Sequence, residues 1–252
     1  MNGINQWKGK VAMVTGANGG IGMEVTRKFL TLDLIVVAVD KNCDQLMALK
    51  DELKTTNLHP LNVDLCHEEE IIRAFQWIDD TFEGVDVLVN NAGIGGQGTL
   101  INGSVSEWKK MLDVNVIALS ICSREAIKSM NSRNLNNGHI IHLSSNLAYY
   151  VPSYAPFHFY SATKHAVRAL TEGLRQELRD LKSPIKVTCI SPGLVKSSIF
   201  KSSLGDAFDK HLYEAYPSIN PSDIASTIEF ILATPPHVQV QDIIIKPLGS
   251  DA

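Results

Sequence analysis

The chain has 252 residues, of which 44% are hydrophobic and 20% charged, a composition typical of a folded globular protein and unlike that of a disordered one. Its formal net charge of -4 and its pI of about 6.1 provide no basic surface for a nucleic acid or an anionic membrane. Four cysteines without a C-x-x-C pair, and the lack of any apolar stretch of about 20 residues, predict a cytoplasmic protein without a metal site, a disulfide or a membrane span.

Short apolar runs alternate along the chain with longer segments of helical periodicity. This pattern is typical of β-α-β units that build a parallel sheet. The length is compatible with one α/β domain, so we expect residues 1–252 to form a single domain. The seven predicted strands lie at residues 11–15, 34–39, 61–63, 85–89, 139–143, 185–190 and 240–245.

Apolar residues at helical spacing predict helices between these strands. In the first three helices the residues expected to face the core are Ile21, Val25 and Phe29, then Leu46, Leu49 and Leu53, and then Ile71, Phe75 and Ile78. Two long helices are expected at residues 106–130 and 158–181. The segment 197–220 interrupts the alternation, which indicates a substrate-binding loop or lid, with a pair of surface helices as the alternative.

A glycine-rich turn from Thr15 to Gly22 directly follows the first predicted strand and precedes a helix. Glycine permits a tight turn, and it lets backbone N–H groups at a helix N-terminus approach a pyrophosphate. The turn therefore predicts a dinucleotide site. The residues expected to contact the dinucleotide here are Gly16, Asn18, Gly20, Ile21 and Gly22.

Acidic and polar residues follow the next strands. Asp40 ends the second strand eighteen residues after Gly22, close to the spacing at which a carboxylate accepts hydrogen bonds from the adenosine ribose. Asp64 and Leu65 follow the third strand, where they are candidates for holding the adenine ring. The fourth strand ends in Asn90 and is followed by three further candidates, Asn91, Ala92 and Gly93.

Tyr160 and Lys164 are four residues apart, so a helix places both on one face. A free phenol has a pKa of about 10, and lowering it to about 7 requires roughly 4 kcal/mol. A nearby ammonium and the positive charge of an oxidised nicotinamide together supply that much in a cleft poor in water. The pair therefore predicts a tyrosine acid/base beside a nicotinamide cofactor.

These motifs, in this order, resemble the short-chain dehydrogenase/reductase family over nearly the whole chain. The matching stretches are Thr15-Gly16-x-x-x-Gly20-x-Gly22, Asn90-Asn91-Ala92-Gly93, Tyr160-x-x-x-Lys164 and Pro192-Gly193. The resemblance implies a single dinucleotide-binding catalytic domain of the Rossmann type, with a doubly wound, parallel, seven-stranded sheet and helices on both faces. It also implies a homodimer or homotetramer.

The resemblance assigns roles to further residues. It implies that Ser145 hydrogen-bonds the substrate oxygen, that Lys164 holds the nicotinamide ribose and lowers the Tyr160 pKa, and that Asn115 completes a water relay. Ser145 lies fifteen residues before Tyr160, two more than in many members, so Ser144 is the alternative. The residues that the resemblance places beside the nicotinamide are Pro192, Gly193, Val195 and Ser197.

Within the family, stretches 158–164 and 234–239 resemble the animal subgroup of farnesol dehydrogenases and steroid-reducing members. Two positions depart from that subgroup's pattern. After the second strand the subgroup usually carries a basic residue suited to NADP, whereas this chain has Asp40 followed by Lys41, which favours NAD. Ala148 stands where a glycine is often found three residues after the catalytic serine, which alters the shape of the pocket.

The sequence therefore predicts an oxidoreductase that transfers a hydride between NAD and an apolar alcohol or carbonyl substrate, such as a terpenoid or isoprenoid alcohol. One alternative is an NADP-dependent carbonyl reductase acting on steroid or xenobiotic ketones. Another is a binding module without activity, which the complete set of catalytic residues disfavours. The residues that either line an apolar substrate pocket or form core and subunit contacts are Leu147, Tyr149, Ile199, Phe200 and Leu204.

Overall fold

A parallel sheet of seven strands runs through the molecule in the order β3-β2-β1-β4-β5-β6-β7, which confirms the predicted Rossmann-type sheet. The computed structural model describes residues 3–135, 137–197, 199 and 204–250, without the side chains of residues 207 and 209. The strands are β1 (Val11–Thr15), β2 (Ile35–Asp40), β3 (Leu58–Asn62), β4 (Val87–Asn90), β5 (His139–Leu143), β6 (Lys186–Pro192) and β7 (Asp242–Ile245).

Helices pack on both faces of the sheet. They are α1 (Gly20–Thr31), α2 (Asp44–Leu53), α3 (Glu68–Phe82), α4 (Val105–Leu112), α5 (Ala118–Ser132), α6 (His158–Asp180), α7 (Asp206–Ala215) and α8 (Pro221–Leu232). One apolar cluster includes Phe29 of α1 and Ile228 of α8, and a second includes Phe75 of α3 and Ala126 of α5. The expectation for Leu53 is wrong, because this side chain at the end of α2 is 44% exposed.

The strand boundaries differ most from the predictions at the edge strand β3, and inside the sheet β4 begins two residues later than expected and β6 ends two residues later. β3 begins at Leu58, three residues earlier than expected, and includes Pro60, which pairs with Ala38 of β2. Proline is tolerated on an edge strand, because the hydrogen bond it cannot donate would have pointed away from the sheet. β7, at the opposite edge, begins at Asp242, two residues later than expected.

The long helix expected at residues 106–130 has a break in its hydrogen-bonding pattern. A π-helical turn, Asp113–Ile117, separates α4 from α5. Such turns are rare and occur frequently at functional sites, because the extra residue redirects the side chains of the turn. Asn115 lies in the middle of it.

The connections of the sheet reverse direction at β1. The chain adds β2 and then β3 on one side of β1, and returns to place β4 on the other side. In open α/β sheets, this reversal leaves a crevice outside the carboxyl ends of the two central strands. The segments after Thr15 and after Asn90 therefore meet.

No helix in the described ranges is long and apolar enough to cross a membrane.

Candidate active site

A cleft of about 630 Å³ opens at the carboxyl ends of β1 and β4. The predicted site residues in its lining are Gly16, Asn18, Gly20, Ile21, Asp40, Asn91, Ala92, Gly93, Tyr160, Lys164, Pro192 and Ser197. The predicted site residues that are not part of this lining are Gly22, Asp64, Leu65, Asn115, Ser145, Gly193 and Val195. The cleft therefore joins the residues expected to bind a dinucleotide to the pair expected to exchange a proton.

The glycine turn needs backbone conformations and close contacts that other side chains would prevent. Gly16 has a φ of 62° and Gly20 a φ of 54°, both in the left-handed region that favours glycine. A Cβ on Gly22 would lie 2.2 Å from the Gly16 carbonyl oxygen. The turn thus presents bare backbone at the N-terminus of α1, an arrangement that suits a pyrophosphate.

Hydrogen bonds hold the glycine turn against the end of β4. The Asn91 side chain donates from Nδ2 to the carbonyl oxygens of Thr15 and Gly16, at 2.9 and 3.0 Å. The Thr15 hydroxyl accepts from the backbone N–H groups of Asn91 and Ala92, both at 3.1 Å. Asn91 therefore shapes the turn as well as lining the cleft.

Asp40 closes the far end of the cleft together with Lys41 and Asn42. Its Oδ2 accepts a hydrogen bond from the Asn18 backbone N–H at 3.0 Å. The Asn18 side chain points to the start of α2, where its Oδ1 accepts from the backbone N–H groups of Gln45 and Leu46 at 3.0 and 3.2 Å. Asn18 thus joins the glycine turn to α2, a structural contact that sequence reasoning did not anticipate.

Asp64 and Leu65 lie behind the strand ends. The Asp64 Oδ1 accepts from the Cys66 backbone N–H at 2.9 Å, and this hydrogen bond is the main cause that lowers the pKa of Asp64. Leu65 borders a small enclosed space together with Thr15 and Ala92. Contact of these two residues with an adenine ring remains a prediction.

Tyr160 and Lys164 lie on the same face of α6, as their spacing predicts. The Lys164 side chain is buried, with its Nζ 5.6 Å from the centroid of the Tyr160 ring and donating to the Leu143 carbonyl oxygen at 2.8 Å. Burial lowers the pKa of Lys164 to about 8, so the amine is largely protonated at pH 7. Burial raises the pKa of Tyr160, and a hydrogen bond from Ser145 opposes that rise.

The two serines at the end of β5 have different partners. The Ser144 hydroxyl donates to the Lys164 carbonyl oxygen at 3.1 Å, which occupies it within the protein. The Ser145 hydroxyl accepts from the Leu147 backbone N–H at 3.1 Å and donates to Asn146 Oδ1 at 3.2 Å, and it lies close enough to Tyr160 to oppose the rise in the Tyr160 pKa. Ser144 lies in the cleft lining, but Ser145 is the better candidate for holding a substrate oxygen because it is the serine beside the Tyr160 phenol.

Asn115 is buried in the π-helical turn, and its side chain makes three hydrogen bonds. Its Nδ2 donates to the Ile94 carbonyl oxygen at 2.9 Å and to the Thr163 hydroxyl at 3.0 Å, while its Oδ1 accepts from the Ile94 backbone N–H at 2.8 Å. The Thr163 hydroxyl in turn donates to the Tyr160 carbonyl oxygen at 2.7 Å. Asn115 thus connects the loop after β4 to the helix that carries Tyr160.

The segment 197–220 contains α7 and contributes Ser197 and Ile199 to the cleft. Phe200, like residues 198 and 201–203, lies outside the described residues. The Tyr149 hydroxyl bonds the Asp242 carboxylate, and its ring packs under Arg168 at 4.3 Å, so these contacts link it to α6 and β7. Function of the segment as a lid remains a prediction.

Several residues of the site have no motif that identifies them. Glu107 lines the cleft and accepts from the backbone N–H groups of Gln97 and Gly98, at 2.5 and 3.3 Å, so it fixes the loop after β4. Asn146 bonds Ser145, and Thr163 bonds Asn115. Thr163 acts through Asn115, which only the folded chain brings close to it, whereas Asn146 bonds its neighbour in the sequence.

The family model for short chain dehydrogenases matches residues 10–206. The chain belongs to this family. Dehydrogenase/reductase SDR family member 11 of Mus musculus is 44% identical, over 97% of this chain and 96% of the relative. Farnesol dehydrogenase of Aedes aegypti is 39% identical, over 98% of this chain and 99% of the relative.

The fold of this short chain dehydrogenase is also similar to that of a serine dehydrogenase in its closed form, complexed with NADP+. The two structures have a TM-score of 0.89 at 29% identity, and the match covers 96% of each chain. Family membership makes the protein an oxidoreductase with the fold that binds a nicotinamide dinucleotide. The relatives from Mus musculus and Aedes aegypti also confirm the resemblance to the animal subgroup.

Proposed function

We propose that the protein transfers a hydride between NAD and an apolar alcohol or carbonyl substrate, with Tyr160 as the acid/base. The observation that carries the proposal is one cleft with Tyr160 and Lys164 in one part of its lining and Asp40 in another. Ser145 lies close enough to Tyr160 to oppose the rise that burial causes in the Tyr160 pKa. The cleft thus combines a proton-exchanging group with a carboxylate suited to an adenosine ribose.

Each part of the cleft has a role toward the dinucleotide. The glycine turn, with Gly16 and Gly20, would hold the pyrophosphate, and Asp40 the adenosine ribose. Lys164 would hold the nicotinamide ribose, with Pro192 and Ser197 beside the nicotinamide. When bound, the dinucleotide supplies the group that accepts or donates the hydride.

The residues of the chain manage the proton. In alcohol oxidation, Tyr160 takes the hydroxyl proton while Ser145 hydrogen-bonds the same oxygen. The protonated Lys164 stabilises the phenolate, which offsets the rise in pKa that burial alone imposes on Tyr160. Asn115, one hydrogen bond from Thr163, would pass the proton onward through water. Carbonyl reduction uses the same groups in reverse.

The cofactor preference follows from the charge of Asp40. A carboxylate accepts two ribose hydroxyl hydrogen bonds, whereas a 2′-phosphate in the same place would bring like charges together. At 4 Å two unit charges repel by about 1 kcal/mol in water and about 4 kcal/mol at an effective dielectric of 20. Asp40 is half-buried at an open cleft, so the repulsion lies between these two figures and nearer to the lower one. We therefore expect kcat/KM for NAD to exceed that for NADP at least about tenfold, or roughly 1.4 kcal/mol.

An NADP-dependent carbonyl reductase is the second candidate, because Lys41 also lines the cleft and the serine dehydrogenase structure contains NADP+. Lys41 would have to give up side-chain freedom to reach a 2′-phosphate, and salt would screen the contact. Asp40 lies in the same part of the lining and repels the phosphate whichever way Lys41 points. The charge argument therefore favours NAD.

Replacing Asp40 with alanine is expected to shrink or reverse the preference for NAD, mainly by improving kcat/KM with NADP. The measurement is kcat/KM for both cofactors with one alcohol. Asp44→Ala is a matched control, because Asp44 is an exposed acid at the start of α2, outside the cleft lining, and its loss should leave the preference unchanged. A wild-type preference for NADP would disprove the ribose assignment and favour the carbonyl reductase.

Ile94 and Ile199 give the substrate part of the cleft an apolar character. The relative from Aedes aegypti named farnesol dehydrogenase supports an isoprenoid alcohol as the substrate. We expect farnesol and related terpenoid alcohols to reduce NAD faster than steroid or simple secondary alcohols do, in a panel followed by NADH absorbance. Faster turnover of steroid ketones with NADPH would favour the second candidate instead.

We further propose a homodimer or homotetramer, in which the long helices carrying Asn115 and Tyr160 pack against a second copy. Apolar side chains on these helical segments are exposed in the single chain: Leu112 is 39%, Ile117 50% and Leu170 41% exposed. We expect light scattering at micromolar concentration to give the mass of two or four chains. A monomeric mass would contradict the proposal.

A further inference from the structure

Residues 194–197 and 219 form a narrow neck, through which the described part of the segment 197–220 joins the end of β6. Val195 and Ile219 make a parallel β-bridge. On either side of it, the Lys196 backbone N–H donates to the Ile219 carbonyl oxygen and the Ile219 N–H donates to the Leu194 carbonyl oxygen, both at 2.9 Å. The neck therefore ties the segment to the strand that ends at Pro192.

Tyr213 of α7 fastens this neck through a single oxygen. Its hydroxyl accepts from the Ser197 backbone N–H at 3.0 Å. The hydroxyl proton has two acceptors within reach, the carbonyl oxygens of Val195 at 2.8 Å and of Ser197 at 3.0 Å. Loss of this oxygen would remove the hydrogen bonds that the Ser197 backbone N–H and carbonyl group make with Tyr213.

Ser197 is placed where its position affects the cleft. It lines the cleft, and a Cβ built on Gly20 would lie 3.2 Å from the Ser197 Cβ. The serine therefore lies against the glycine turn at the start of α1. It follows β6, which is three strands from β1 and on the side of the sheet away from Asp40. A shift of Ser197 is therefore expected to change the cleft between the glycine turn and the end of β6 more than the adenosine end beside Asp40.

We propose that Tyr213 is a positioning residue, which holds Ser197 in place to form the part of the cleft that receives the nicotinamide half of the dinucleotide. The inference rests on the proposed function, because it requires a dinucleotide in this cleft. A contact of α7, which lies in the segment expected to bind substrate, would thereby affect the affinity for the cofactor. Tyr213 touches none of Ser145, Tyr160 or Lys164 in these contacts, so the proton chemistry does not depend on it directly.

The test compares Tyr213→Phe with wild type and with Tyr216→Phe. The first change keeps the ring and removes the oxygen; the second removes a phenolic oxygen from a tyrosine that is 59% exposed, three residues further along. Dissociation constants are measured by fluorescence titration for NADH, and by competition for AMP, which fills only the adenosine end. NADPH and 2′,5′-ADP replace them if the protein binds NADPH more tightly.

Tyr213→Phe removes one accepted and one donated hydrogen bond, and we expect the Kd for NADH to rise about fivefold to tenfold while the Kd for AMP stays within about twofold. The kcat at saturating cofactor should stay within about twofold of the wild-type value. The weaker binding should therefore appear as a higher KM for the dinucleotide. Tyr216→Phe should resemble wild type throughout.

An unchanged Kd for NADH in Tyr213→Phe would overturn the inference. Equal losses for NADH and AMP would overturn it too, because they would indicate a general structural effect. If wild type itself bound neither NADH nor NADPH, the proposed function would fail. That outcome is distinct from the two that concern Tyr213.

Discussion

Replacement of Tyr160 with phenylalanine is expected to lower kcat by about 10²- to 10⁴-fold, the usual contribution of a positioned acid/base. The change removes only the phenolic oxygen, the atom that exchanges the proton with the substrate. The ring and its place on α6 are kept, so the fold and the Kd for the dinucleotide should change little. The measurement is kcat with saturating cofactor, together with the Kd by fluorescence titration.

Tyr154→Phe is the matched control for this variant. Tyr154 is 43% exposed, and its ring stacks on Phe208 with the centroids 5.5 Å apart. Removing its oxygen should leave kcat unchanged, because Tyr154 is not in the cleft lining. Turnover of Tyr160→Phe within a few fold of wild type would disprove the proposed role of Tyr160.

Replacement of Lys164 with methionine is expected to reduce both rate and cofactor affinity, because the ammonium has two roles. At the 5.6 Å that separates Lys164 Nζ from the Tyr160 ring centroid, an ammonium stabilises a phenolate by roughly 3 kcal/mol at an effective dielectric of 20. Lys164 is only 3% exposed, so this figure applies rather than the bulk-water one. We expect alcohol oxidation at pH 7 to fall by about 10²-fold or more, and the Kd for the dinucleotide to rise.

The pH profile separates the two roles of Lys164. Alcohol oxidation needs the phenolate, so the rate rises with pH as Tyr160 loses its proton. Burial already raises the pKa of Tyr160, and removing the ammonium raises it further, so the rise should move to higher pH in Lys164→Met. Lys128→Met, on the exposed surface of α5, should leave the profile unchanged. An identical profile and an identical Kd in Lys164→Met would show that both roles are wrong.

The strands that the sequence predicted well are those whose apolar runs are buried on both faces of the sheet. β1 and β5 have the predicted bounds, because each is a five-residue buried run between clear breaks. The edges were less accurate. Pro60 resembles a strand breaker in sequence, and only its place at the edge of the sheet makes it compatible with β3.

The site was predictable where backbone chemistry dictates the residue type. The left-handed φ of Gly16 and the close approach at Gly22 require glycine, so the turn can be recognised from its glycines in the sequence. Hydrogen-bond partners that lie far apart in the chain cannot be recognised in this way. The π-helical turn around Asn115, the contact of Thr163 with Asn115 and the contact of Tyr213 with Ser197 depend on which segments the fold brings together.

The most direct test of the central claim is to follow the hydride itself. The purified protein is incubated with NAD and farnesol in which both hydrogens of the carbinol carbon are replaced by deuterium, and the reduced dinucleotide is analysed by mass spectrometry. We expect one deuterium in each NADH that wild type forms, and formation of this NADH about 10²- to 10⁴-fold more slowly in Tyr160→Phe. Absence of deuterated NADH with farnesol and with every other deuterated alcohol of the panel would contradict NAD-dependent alcohol oxidation by this cleft.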